Sequence, residues 1–146
     1  MQAMPIAVKR VYEKAGRADG ARVLVDRLWP RGLSKERAAV HAWLRELAPS
    51  DGLRKWFHAR PEGWPAFRKR YLRELMRVEA AGALEELYRL AENHKRLTLL
   101  FASKNEQHNN AVVLKELLEG LRKPPTGTGP GAVKGIRVRQ AARRSR

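Results

Sequence analysis

Two short apolar runs, about seventy residues apart, limit the folds open to this chain. In Arg22-Val23-Leu24-Val25 the three aliphatic residues fall on both faces of a strand, and Leu97-Thr98-Leu99-Leu100-Phe101-Ala102 is apolar almost throughout. A strand that is apolar on both faces has to be covered on both, the condition met by a parallel sheet clad with helices.

The segments around these runs supply the remaining elements. Ile6–Glu13 alternates weakly and reads as an edge strand. In the stretch from Ala15 to Arg22, Asp19-Gly20 gives a hairpin-like turn signal. Ser34 is placed to cap a helix whose apolar stripe is Val40, Trp43, Leu44 and Leu47. Pro49-Ser50-Asp51 breaks that pattern, and Ser50 or Asp51 can cap a short helix through Leu53, Trp56 and Phe57. A third helix is predicted from Trp64 to about Val78, with Trp64, Phe67, Tyr71, Leu75 and Val78 inward. Gly82 interrupts it, and Leu84, Leu87, Tyr88 and Ala91 mark another short amphipathic helix. A last helix, from Asn109 to Leu121, turns Val113, Leu114, Leu117, Leu118 and Leu121 inward. The expected fold is α/β: a small, mainly parallel sheet of three to four strands, flanked by helices on both faces and joined by right-handed crossovers. Strand order is not encoded in this pattern.

Residues 1–123 read as one domain. The Pro/Gly-rich stretch that follows and the segment AVKGIRVRQAARRSR read as a flexible basic tail, 124–146. Of the formal net charge of +16, half falls from Leu121 onward, where there are 8 Lys/Arg and no acid. Such a field attracts anions, with nucleic acid as the obvious polyanionic partner for the basic tail and face. The chain has no Cys, which excludes disulfides, thiolate catalysis and cysteine-ligated metal. His41, His58 and His94 show no metal-ligand pairing, so neither a metal nor a cofactor is expected. With no apolar run long enough for a membrane span or a secretory signal, the expectation is a cytoplasmic protein away from the membrane.

In open parallel sheets, ligands gather beyond the carboxyl ends of the strands. Two loops occupy that position here: Asp26-Arg27-Leu28-Trp29-Pro30-Arg31-Gly32, and the segment from Ala102 to Asn110. If the two strands are neighbours, Asp26, Arg27, Arg31, Lys104, His108 and Asn109 converge, and the second loop opens a helix whose free N–H groups favour an anion. Arg27, Arg31, Gly32, Lys104 and Asn109 then form a phosphate or carboxylate cradle, with Asp26 and His108 as candidate catalytic residues.

Each of these residues also has a plain structural reading. Asp26 can form a buried ion pair with a neighbouring arginine and do no chemistry. Trp29-Pro30 can be wall or packing, His108 can cap the last helix, and Ser103 need not be a nucleophile. The segment GRADGAR has the wrong spacing for a phosphate-binding glycine motif and precedes the strand. Trp43, Trp56, Phe57, Trp64, Phe67 and Tyr71 stand at core spacing. The basic residues among Phe67–Arg77 fit either a solvated helix face or a nucleic-acid face.

The segments RVLVDRLWPRGLSKE, WLRELAPSDGLRKWF, GWPAFRKRYLREL and LTLLFASKNEQHNNAVVLKELL resemble, in this order, the YeaO-like branch of a bacterial family known as a domain of unknown function. The resemblance runs from about Lys9 to Leu121. It implies a small cytoplasmic α/β domain with signature positions at Asp26, Arg27, Trp29, Pro30, Arg31 and Gly32, at Pro49, Ser50, Leu53, Arg54, Trp56 and Phe57, and at Lys104, His108 and Asn109. Other branches of the wider family carry a cysteine and a Cys-His-Arg run near the second loop. Here those places hold Phe101-Ala102 and Glu106-Gln107-His108-Asn109-Asn110, so no thiol chemistry carries over. Two functions remain open: a domain binding or acting on a small anionic ligand at the strand ends, or a nonspecific nucleic-acid-binding protein.

Overall fold

The computed structural model describes residues 6–122. Four strands, β1 (Ile6–Arg10), β2 (Ala21–Leu24), β3 (Ala42–Trp43) and β4 (Leu97–Phe101), form one sheet in the order β1-β4-β2-β3, with every neighbouring pair parallel. The helices are α1 (Lys35–Ala38), α2 (Asp51–Ala59), α3 (Trp64–Leu75), α4 (Val78–Asn93) and α5 (Asn110–Arg122). The two apolar runs are the central strands β2 and β4, hydrogen-bonded to each other from Ala21↔Leu97 to Leu24↔Leu100. The α/β class with a small parallel sheet is therefore what the chain adopts. The expected tail at 124–146 lies outside the described residues.

The alternation along the central strands sorts the core into two layers. Val23, Val25, Leu99 and Phe101 join residues of α2, α3, α4 and α5 in the larger cluster. Leu24 and Leu100 point the other way, into a smaller cluster with Val11 and Ala38, against which Trp29, Leu33, Val40 and Trp43 pack. The helix cover is unequal. The long helices share one cluster, and the other holds the single turn of α1 with the loop on either side of it.

Three expectations from apolar spacing and one from a turn signal are corrected. The stripe Val40–Leu47 is not a helix: Ser34 caps α1 by accepting from Arg37 N, but Ala39 takes a left-handed conformation (φ 49°) and ends it after one turn. Ala42–Trp43 then pairs with Val23–Leu24 as β3, because the free edge of β2 offers hydrogen bonds that a short helix there would forgo. The helix at Trp64 stops at Leu75, and Val78, 82% exposed, begins α4. Gly82 lies within α4 without interrupting it, since helical cost at one exposed glycine is only about 1 kcal/mol. Asp19-Gly20 closes no hairpin. The β1–β2 connection passes through a turn of 3-10 helix at Arg17–Asp19, and β4 lies between the two strands.

That connection carries a buried ionic group. Asp19 and Arg22 are 8% and 4% exposed, and Arg22 Nη1 bonds Asp19 Oδ2 at 2.6 Å while Lys9 Nζ approaches the same oxygen at 3.0 Å. Arg22 also donates to the Ala38 carbonyl, and Thr98 Oγ1 donates to the Asp19 carbonyl at 2.7 Å. Burial pulls the Asp19 carboxyl upward, but the Gly16 N–H, Lys9 and Arg22 outweigh it and hold the group below its ordinary value.

Candidate functional site

β2 and β4 are adjacent and parallel, so the loops that leave them emerge side by side. Asp26 joins them. Its Oδ2 accepts from Ala102 N at 2.9 Å, and its Oδ1 accepts from Asn110 Nδ2 at 3.0 Å. The same Asn110 amide donates to the Val25 carbonyl at 2.9 Å, and the Trp43 indole donates to the Asp26 carbonyl at 2.8 Å. One half-buried carboxylate thus ties the ends of β2 and β4 to the first residue of α5. Burial raises its pKa, with Asn110, Ala102 N–H and the charge of Arg54 pulling part of the way back. A carboxyl raised in this way suits proton transfer as well as bracing.

A third strand end joins the cluster. Arg10, the last residue of β1, donates from Nε to the Ser103 carbonyl and from Nη2 to the Ala102 carbonyl, both at 2.9 Å. Its guanidinium lies 5.1 Å from the Tyr12 ring, and the Tyr12 hydroxyl donates to the Arg31 carbonyl at 3.0 Å. Arg10 and Tyr12 therefore link the Arg31 turn to the Lys104 loop. Gly32 turns the chain at φ 77°, a conformation that costs other residues strain, and Trp29 Nε1 closes the loop on the Leu33 carbonyl. Arg27, Arg31 and Lys104 are exposed and form no ion pair among the described residues.

Two of the expected site residues, the ligand candidate Asn109 and the catalytic candidate His108, turn elsewhere. Asn109 is 3% exposed; its amide donates to the Asn105 carbonyl and its Oδ1 accepts from Val112 N, so it caps α5. The His108 ring stacks on Trp64 of α3, with centroids 4.5 Å apart and planes 13° from parallel. Trp64 continues that stack through Phe67 to Tyr71. The Ser103 hydroxyl accepts from Asn105 N, and Asn105 Oδ1 accepts from the N–H groups of Gln107 and His108. The second loop is thus a series of side-chain turns leading into α5.

Asn110, Arg10 and Tyr12 were absent from the sequence-based set. Nothing in the sequence marks Asn110 above Asn109, since the choice depends on which of the two faces the strand end. Arg10 belongs to an edge strand whose position beside β4 the sequence leaves open.

Among the described residues there is no helix long and apolar enough to cross a membrane, and no group of three His, Cys, Asp or Glu side chains that could hold a metal ion. A family model described as "Inactive DUF488-N3 subclade" matches residues 5–126. The chain is 45% identical over 120 residues to "Uncharacterized protein YeaO" of Escherichia coli (strain K12), covering 81% of this chain and 100% of that one. It is 40% identical over 115 residues to "Uncharacterized protein Rv3073c" of Mycobacterium tuberculosis (strain ATCC 25618 / H37Rv), covering 79% of this chain and 94% of that one. No solved structure gives a significant match.

Proposed function

From the premise that the chain belongs to the DUF488 family, in the branch described as the inactive N3 subclade, we propose that it is a cytoplasmic binding domain for a small phosphate- or carboxylate-bearing molecule held at the strand ends. The observation that carries the reading is the set of exposed cations without an ion pair among the described residues, Arg27, Arg31 and Lys104, on loops that Asp26, Arg10 and Tyr12 lock to one another. Arginine presents a planar fork to such anions, and a fixed loop lowers the entropic cost of closing on them. Gly32 gives the turn that presents Arg31. Asp26 acts as a brace in this reading, its two oxygens occupied by Ala102 N and Asn110. His108 and Asn109 shape the second loop from below, through the Trp64 stack and the α5 cap. The branch description and the absence of cysteine both favour binding over turnover.

The test is calorimetric titration with pyrophosphate, adenosine monophosphate and citrate. Arg31→Ala and Lys104→Ala should each weaken the best binder by about tenfold, which is about 1.4 kcal/mol, with the melting temperature unchanged. Unchanged affinity in both variants, or no binding by any of the three probes, overturns the reading.

A further inference from the structure

Between α2 and α3 lies an open cleft of about 400 Å³, lined by Ser50, Trp56, Arg70, Arg73, Glu74 and Arg77 among others. Glu74, the carboxylate among them, is already engaged: Oε1 accepts from Ser50 N at 2.7 Å and Oε2 from Ser50 Oγ at 2.6 Å, closing the start of α2. Asp51 beside it is paired with Arg54 and Lys55. The three arginines form no ion pair among the described residues, and all three are exposed. Arg70 is held with its guanidinium 4.6 Å over the Trp56 ring, which limits its freedom while leaving its charge uncompensated.

We propose that this cleft grips the sugar–phosphate backbone of nucleic acid, as a surface separate from the strand-end ligand site. Arg70 and Arg73 stand one turn apart on α3, and Arg77 follows at the junction with α4, where its backbone is extended. At 1.5 Å per residue Arg70 and Arg73 rise about 4.5 Å along the α3 axis, and Arg77 adds a further fork beyond the helix end, so the cleft offers separate forks for successive phosphates and not a single convergent pocket. An enclosed small-molecule site would bring buried donors together, whereas this cleft is open and its donors face solvent. A chain of net charge +16 adds the long-range attraction that a polyanion feels. Met76 and Val78, on either side of Arg77, are exposed, but two side chains are too little apolar surface for membrane insertion.

The experiment measures anisotropy of a fluorescein-labelled oligothymidine with the full chain across a salt series. Arg70→Gln/Arg73→Gln/Arg77→Gln should flatten the log–log salt slope by about two units, as expected when about three single-strand phosphate contacts are lost. A charge-matched control, Lys35→Gln/Arg37→Gln/Lys95→Gln, should leave the slope near that of the unaltered chain. Circular dichroism establishes that both variants fold, and Arg70→Gln alone is read if the triple variant does not. Equal losses in the two triple variants would mean that only net charge matters, and would overturn the proposal. So would a failure to bind the oligonucleotide, or a loss in the arginine triple variant that shows with phosphatidylserine-rich vesicles and not with the oligonucleotide.

Discussion

The Asn110 side-chain amide donates to the Asp26 carboxylate at 3.0 Å, joining residues 84 positions apart in the chain, and to the Val25 carbonyl at 2.9 Å. Both acceptors lie at the end of a central strand and away from free solvent. Asn110→Ala removes the donor and leaves them short of a partner, a loss of about 1–3 kcal/mol. It also removes one of the contacts that lower the Asp26 pKa, so Asp26 should titrate at a higher pH than in the unaltered protein. Urea unfolding and carbon-detected NMR titration of the carboxyl check the two parts. An unchanged midpoint with an unmoved Asp26 titration would show that this bond braces nothing.

Asp19 presents the opposite sign. Its folded pKa lies below the ordinary carboxylate value, so the stability it contributes is present above about pH 3.9 and is lost as pH falls through the folded value. Asp19→Asn should therefore flatten the acid limb of the stability curve. At neutral pH it should cost about 3–5 kcal/mol, because Arg22 is left buried without its counter-charge. Replacing Lys9, the more exposed partner, should cost much less. Stability measured by urea between pH 2 and pH 7 distinguishes these outcomes.

How much of this was legible in the sequence depends on the range of the interaction. Val23–Val25 and Leu97–Phe101 declare buried strands because apolar residues on both faces leave few alternatives, but that they are neighbours is settled only by the sheet order. Val40, Trp43, Leu44 and Leu47 misled, since spacing alone does not reveal that β2 has a free edge at Leu24 that Trp43 can fill. The same limit governs the site. The strand-end loops were identifiable from their position, but the choice of Asn110 over Asn109 as partner of Asp26 is a tertiary fact. So is the stacking of His108 on Trp64, two residues 44 positions apart with no local signal between them.

Tyr88 and Tyr71 give an alkaline counterpart. Burial pushes the Tyr88 hydroxyl up to about 12, and burial together with the charges of Asp26 and Glu74 pushes Tyr71 well above its ordinary value. The neutral phenols are the form the fold favours, so their contribution is present below about pH 10 and is lost as pH rises through the folded values. A spectrophotometric titration should show a phenolate step near pH 12 that disappears in Tyr88→Phe. Tyr71 should ionise only together with unfolding. If the step near pH 12 survives the substitution, the assignment fails.

Ala39 and Gly20 invert the usual expectation for glycine. Ala39 ends α1 at φ 49°, where a Cβ costs about 1–2 kcal/mol, whereas glycine pays only the entropy of a looser unfolded chain. Ala39→Gly should therefore be neutral or stabilising by up to about 1 kcal/mol, although glycine substitutions ordinarily destabilise. Gly20 also has positive φ, 64°, but a Cβ there would run into the backbone carbonyl of Arg96, which bonds Ala21 N at the start of β2. A carbonyl fixed by the sheet does not yield as a flexible side chain would. Gly20→Ala should consequently cost more than the roughly 1–2 kcal/mol expected from backbone conformation alone. Gly32→Ala, where a Cβ meets nothing within 4 Å, isolates that conformational part. Melting temperatures in the order Ala39→Gly, then Gly32→Ala, then Gly20→Ala from highest to lowest are the expected result. A Gly20→Ala variant as stable as Gly32→Ala would mean that β2 can shift away from Arg96.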